Sequence, residues 1–211
     1  MALVLDPTHA RVILHGITWA TFERLLADRG DSAGPRLAYD QGTVELTIPS
    51  PEHEWLKGTL TQIVDAIAFA RDLHYQNLAS TTLPRRDLDR GFEPDACFYI
   101  QHAAALQNIE HLDLETEPPP DLVIEIDIVN PSLNKLPLYA AIGVPEVWRY
   151  TRNGLELYQL QHDHYEPIAS SAVLPGISRS DLEQFVDQCR ETTHRTAWFK
   201  EVVAQSQLSA E

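Results

Sequence analysis

The segment DLVIEIDIV (121–129) constrains the fold of this 211-residue chain more than any other stretch. Side chains alternate faces along a strand, so Leu122, Ile124, Ile126 and Ile128 share one face, which must be core. Asp121, Val123, Glu125, Asp127 and Val129 share the other. Glu125 and Asp127 are two residues apart, which sets their Cα atoms roughly 6.6 Å apart and lets their carboxylates lean toward one point. If that face is covered, two anions repel and lose hydration, at a cost of several kcal/mol unless something positive answers them. A divalent cation is one answer and Lys135, just past the strand, is another. A solvated edge strand would carry the same two acids with no chemistry attached.

The neighbouring elements follow from local signals. Residues 17–29 suit a short helix with Thr18 as N-cap. RLAYDQGTVELTI holds two alternating runs around Asp40-Gln41-Gly42, a hairpin. SPEHEWLKGTLTQIVDAIAFARDL opens with Ser50 as cap and Pro51 at the first helical position, and Leu56, Leu60, Ile63, Val64 and Ile67 recur at helical spacing. HYQNLAST (74–81) and EPDACFYIQ (93–101) read as strands, and 107–120 as an acidic, proline-ended loop. After the 121–129 strand, Asn134 caps a helix to about Ala141, with Pro137 in its first turn and Gly143 ending it. EVWRYT (146–151) is a strand, and GLELYQL with HYEPIASS a further hairpin after Asn153-Gly154. Ser180 to Glu183 reads as a capping box opening a C-terminal helix. The order predicts an α/β (α+β) fold: one mixed β-sheet flanked by helices, with extra hairpins at both ends, in a single domain spanning 1–211 with its core at about 35–190.

Composition narrows the function classes. The chain is 44% apolar and 22% charged, enough to bury a sizeable core. Its net charge of −15 argues against broad attraction to nucleic acid or anionic membrane, though not against a local basic groove or acids answered by metal. Cys97 and Cys189 provide neither a disulfide framework nor zinc spacing, and the N-terminus lacks a secretory pattern. No apolar run approaches the ~20 residues that span a bilayer. A soluble cytoplasmic protein with no membrane partner is expected.

Two observations favour chemistry over a solvated edge. Asp95 begins the strand expected beside 121–129, and a strand spacing of about 4.8 Å brings its carboxylate within reach of an ion shared with Glu125. Asp121 follows a proline too, but lies roughly 13 Å along the strand from Glu125, too far to share that ion. Lys135 could reach back to the acids or to a phosphate they hold, and Tyr139, four residues on, shares its helix face. Each feature also has a plain structural reading: a strand start for Asp95 and a surface side chain for Lys135.

An Asp followed on an adjacent strand by a Glu, behind a helix, resembles the PD-(D/E)XK, restriction-endonuclease-like superfamily. More closely, Pro118 to Asp121, Glu125, Pro131-Ser132, Lys135-Leu136 with Tyr139, and Gly143 to Trp148 resemble a bacterial family described as putative restriction endonucleases, once catalogued only as a domain of unknown function. PSPEHE (49–54) and EPDACFYI match its pattern as well, and the resemblance runs over roughly residues 35–190. It implies a sheet core with a metal-dependent phosphodiesterase site on DNA, with Asp95 and Glu125 as Mg²⁺ ligands. The superfamily lysine two residues after the Glu is Asp127 here, so the positive charge must come from Lys135. The resemblance also suggests Glu54 as a supporting acid and points to Glu45, although Glu45 alternates with Val44 and Leu46 and suits an outward-facing acid equally well. His53 reads as a residue of the helix cap rather than a ligand.

The leading expectation is a Mg²⁺- or Mn²⁺-dependent endonuclease hydrolysing DNA, with Asp95, Glu125, Asp127 and Lys135 as catalytic residues and the three acids as metal ligands. Oxygen ligands suit these ions better than zinc. Arg85, Arg86 and Arg90, just ahead of Asp95, are the expected DNA contacts, unless Asp87 and Asp89 neutralise them. A homodimer is expected because a single-strand cutter needs a partner to break both strands. Two alternatives stand beside this: a catalytically inactive nuclease-fold binding or assembly module, favoured by the acidic charge and by Asp127, and a metal-dependent hydrolase of a small phosphorylated substrate.

Overall fold

The computed structural model describes residues 11–30, 34–106, 112, 114–128 and 134–208. Its elements are β1 (Arg11–His15), α1 (Trp19–Arg29), β2 (Arg36–Asp40), β3 (Thr43–Thr47), α2 (Pro51–Ala70), β4 (Gln76–Ala79), β5 (Leu83–Arg85), β6 (Arg90–Phe92), β7 (Ala96–Tyr99), β8 (Leu122–Asp127), α3 (Leu136–Ile142), β9 (Glu146–Thr151), β10 (Gly154–Gln161), β11 (His164–Ile168), α4 (Arg179–Glu191) and α5 (Arg195–Leu208). The class is α+β, as expected, but the strands form two sheets rather than one. The first runs β1-β3-β2-β6-β5 and the second β11-β10-β9-β8-β7-β4. The β2–β3 hairpin extends sideways into a sheet of its own because two partners outside the sequence reading flank it. β1 pairs with β3, and β6 pairs with β2.

The second sheet is antiparallel except where β8 and β9 run parallel, joined through α3. Parallel neighbours need such a crossover, which is why the chain leaves the β8 edge, forms a helix and returns. The expected face alternation of β8 holds. Leu122, Ile124, Ile126 and Ile128 join Leu56, Leu60, Ile63 and Ile67 of α2, Phe185 of α4 and Trp198 of α5 in one core. Val123 joins Leu138, Tyr139 and Ile142 of α3, with Ala38 and Phe92 of the first sheet, in a second. A third, smaller core of Phe22, Leu37, Tyr39 and Val44 lies beneath α1. The face of β8 that carries Glu125 is therefore covered, not solvated.

Thr18 and Ser50 cap α1 and α2 as the sequence suggests. At the β2–β3 turn Gln41 and Gly42 both take positive φ, 44° and 92°, the combination whose twist matches a tight hairpin. Three local readings need correction. The capping box of α4 is Ser178 with Asp181, so the helix starts earlier than Ser180. Lys135 takes the cap position of α3, although Asn134 Oδ1 still accepts a bond from the Leu136 N–H at 3.3 Å. Asp121 lies before β8, where it accepts bonds from the N–H groups of Ile100 and His102. Val129 and the Pro131-Ser132 pair lie outside the described residues. Among those residues no helix is long and apolar enough to cross a membrane.

Candidate active site

The β7–β8 ladder pairs Ala96 with Ile124, so one step further Asp95 faces Glu125. Both are buried, at 2% and 3% exposure. Asp95 sits where the backbone of β7 leaves the ladder, and its Oδ2 accepts the Ile126 N–H at 2.7 Å in place of a strand carbonyl. Its Oδ1 pairs with the Arg36 guanidinium, and His53 Nε2 lies 3.1 Å from Oδ2.

Glu125 is answered from α3. Lys135 Nζ donates to Oε2 at 2.7 Å, and the Tyr139 hydroxyl donates to Oε1. Burial pushes the Glu125 carboxyl above the usual range, with Lys135 pulling against that rise. Burial works against the Lys135 ammonium, yet Glu125, Asp127 and Glu45 outweigh it and hold its pKa up. Burial, then Glu125, drives the Tyr139 phenol well up, so it keeps its proton and donates a hydrogen bond. Asp127, on the same face, accepts from Arg149 Nε at 2.6 Å.

The first sheet supplies residues that the sequence reading missed or left open. Arg36 opposes Thr47 and Ala38 opposes Glu45, so Arg36 and Glu45 share the face turned toward the second sheet. Glu45 is only 5% exposed, which resolves its alternation: Val44 and Leu46 face α1, and the acid faces inward. Nothing local distinguishes the two choices; the outcome depends on which face of the hairpin meets the second sheet. His53, expected as a cap-region residue, reaches Asp95. Its position three residues past the Ser50 cap, beside Glu54, was the available signal.

Glu54 is half-exposed and bonds Arg36 at 2.9 Å. It lines an open cleft of about 980 Å³ with Arg29, Arg36, Lys57, Thr82 and Glu93. The Glu93 carboxylate is tied down by Arg29, by the Leu37 N–H and by the Thr82 hydroxyl. Burial and the neighbouring Arg36 lower the Lys57 pKa. By contrast, Arg85, Arg86 and Arg90 do not line this cleft. They lie on a short β5–β6 hairpin, where Asp87, Glu23 and Asp40 respectively pair with them. Asp89 instead accepts from the Tyr39 hydroxyl.

The carboxylates fit a hard cation in chemistry, being oxygen donors opposed across two strands. Among the described residues, however, no three His, Cys, Asp or Glu side chains are gathered as a metal-ligand group. As it stands, cations of the chain itself answer each acid: Arg36 answers Asp95, Lys135 answers Glu125 and Arg149 answers Asp127.

A search of curated proteins finds no match. Among solved structures, a putative nuclease from Anabaena variabilis aligns with a TM-score of 0.54 at 17% identity, covering 80% of this chain and 98% of that one. At that identity the likeness speaks for the fold alone. The family model described as putative restriction endonuclease matches residues 19–189, a span that includes the whole second sheet, the first sheet apart from β1, and every residue of the site above. The chain belongs to the putative restriction endonuclease family.

Proposed function

We propose that the chain is a metal-dependent nuclease that hydrolyses DNA phosphodiester bonds at the Asp95–Glu125 junction. The observation that carries this reading is two buried carboxylates, Asp95 just before β7 and Glu125 on the neighbouring β8, with a lysine bonded to one of them. Burying charges here is costly, and a purely structural role would be served as well by apolar side chains. Asp95 and Glu125 would hold the ion, with Asp127 and Glu45 nearby; a bound Mg²⁺ or Mn²⁺ would polarise the phosphate and acidify a water.

The chain's own residues supply the rest. Lys135 keeps its proton at Nζ, next to the acids, and is placed to answer negative charge building on a phosphate. Tyr139 fixes Glu125 from the opposite oxygen. Arg36 bridges Asp95 to Glu54 at the cleft wall, linking the buried acids to the surface where a strand would lie. DNA contact would come from that wall, where Arg29, Arg36 and Lys57 line the open cleft, rather than from Arg85, Arg86 and Arg90, which do not line it; carboxylates pair with all six.

A second reading has one observation in its favour. Since Arg36, Lys135 and Arg149 already neutralise the acids, the fold is complete without an ion, as an inactive binding module would be. Calorimetric titration of Mn²⁺ separates the two. The nuclease reading expects saturable binding by the wild type, lost in Glu125→Ala, with metal-dependent nicking of plasmid DNA. Equal heats from both proteins would remove the metal claim, and binding without cleavage of any DNA form would favour the module.

A further inference from the structure

On the far side of α2 from Glu54 lies a second, smaller cleft of about 330 Å³, lined by Glu52, Trp55, Cys189, Arg190, Thr192 and Arg195. Two guanidiniums lie over the same indole at cation–π distance. The Arg190 Cζ lies 5.4 Å and the Arg195 Cζ 5.8 Å from the Trp55 ring centre, and Arg195 also lies 5.1 Å from the Trp198 ring. Arg195 is held further by neutral partners, through Nη1 to Cys189 Sγ at 2.6 Å and Nη2 to Gln62 Oε1 at 2.8 Å.

Neither arginine has a carboxylate within ion-pair distance among the described residues, unlike Arg29, Arg36, Arg85, Arg86, Arg90, Arg149 and Arg179. In a chain of net charge −15, two unanswered cations on one aromatic face are unusual. Contact with the ring restrains long side chains in advance, so less freedom is lost when their N–H edges engage a ligand. The planar fork of a guanidinium matches a phosphate's oxygens two at a time. Arg190, exposed and without a hydrogen bond to the chain among the described residues, keeps its N–H groups available. Glu52, Trp55 and Cys189 of the cleft lie within the segment matched by the family model, and the two arginines follow its end at residue 189.

We infer that Arg190 and Arg195, lying over Trp55, form a phosphate-binding site that holds a backbone phosphate of the nucleic acid substrate away from the Asp95–Glu125 junction. This rests on the nuclease reading for the identity of the ligand. Glu54 and Trp55 are adjacent on α2 and face the two clefts. A helix is about 10–12 Å across, so the second contact falls about three base pairs from the first at 3.4 Å per step. Glu52 is the one carboxylate among the described residues that line the second cleft.

The test is fluorescence anisotropy with a labelled DNA duplex across a salt series, comparing wild type, Arg190→Gln and Glu52→Gln. Removing Arg190 should weaken binding several-fold and reduce the slope of log K against log salt by about 1, the loss of one phosphate contact. Glu52→Gln should tighten binding. An unchanged affinity and slope in Arg190→Gln, with the wild type still binding and nicking DNA, overturns the inference and leaves the nuclease reading standing. Should the wild type bind no duplex, the nuclease reading fails, and a titration with inorganic phosphate decides the site alone. A shift of the Trp55 indole N–H resonance that disappears in Arg190→Gln upholds it, and an unmoved resonance overturns it.

Discussion

Glu125 is buried and its partner Lys135 mostly so, and the two are better considered together than singly. Removing one partner leaves the other charged and desolvated, which costs on the order of 3–5 kcal/mol. Replacing both with apolar or neutral groups of like shape is close to neutral. Urea unfolding should therefore show Glu125→Gln markedly destabilised and Glu125→Gln/Lys135→Met near wild type, while neither binds Mn²⁺. If the single variant matches the wild type in stability, Glu125 is not carrying a charge in the fold. This pair was legible in the sequence because both residues lie in one short strand–helix unit, where alternation and helix position fix their faces. Arg36 and Glu45 were not legible. Their inward aim depends on packing between two sheets, and β2 and β3 alternate equally well either way. Arg85, Arg86 and Arg90 mark the opposite limit: their clustering in sequence is real, but carboxylates from three different places answer them.

Among the elements, the β5–β6 hairpin was the hardest to foresee. Residues 83–92 contain Pro84, Gly91 and alternating charges, all loop signals, and each strand is only three residues long. Pairing to β2 makes them strands; local preference does not. Gly91 shows why the element has this composition. A Cβ at that position would lie 2.6 Å from Phe22 Cε1 of α1, and Phe22 is itself stacked on Tyr39 at 5.2 Å between ring centres. The ring has nowhere to retreat, so α1 approaches the first sheet only because position 91 lacks a side chain. Gly91→Ala should destabilise by about 1–3 kcal/mol, the usual range for overpacking, and Gly91→Ala/Phe22→Leu should recover part of the loss. A wild-type urea midpoint for Gly91→Ala would show that α1 floats on the sheet rather than docking against it. The β8–α3–β9 unit was easier to read, since β8 alternates Leu122, Ile124 and Ile126 on one face, β9 is rich in Val, Trp, Tyr and Thr, and Gly143 ends the helix at φ 81°.

Across the whole molecule the acids set the net charge, but the tyrosines set the alkaline limit. The chain has seven, and all seven phenols are pushed up, each chiefly by burial. Tyr75 reaches about 12, with Asp65 adding to the rise through a 2.9 Å hydrogen bond. Unfolded, the same groups ionise near pH 10. Above that pH the unfolded chain has released phenolic protons that the native chain still holds, so native protons outnumber unfolded ones and stability falls as pH rises. The stabilisation is fully present below about pH 10 and is lost as pH climbs toward the folded values. The two sheets share this dependence, because Tyr39 packs under α1 and Tyr139 lies between the sheets. Urea midpoints should be flat from neutral pH to about 8.5, where the buried Cys97 thiol, pushed up to about 12, begins to count against the fold, and fall steeply above about 10 as the phenols join it. Absorbance at the phenolate band should rise together with the loss of tertiary structure, not before it. Seven phenols titrating near pH 10 with the fold intact would show that burial is not what holds their protons, and would loosen the packing of α3 against β8 on which the placement of Glu125 depends.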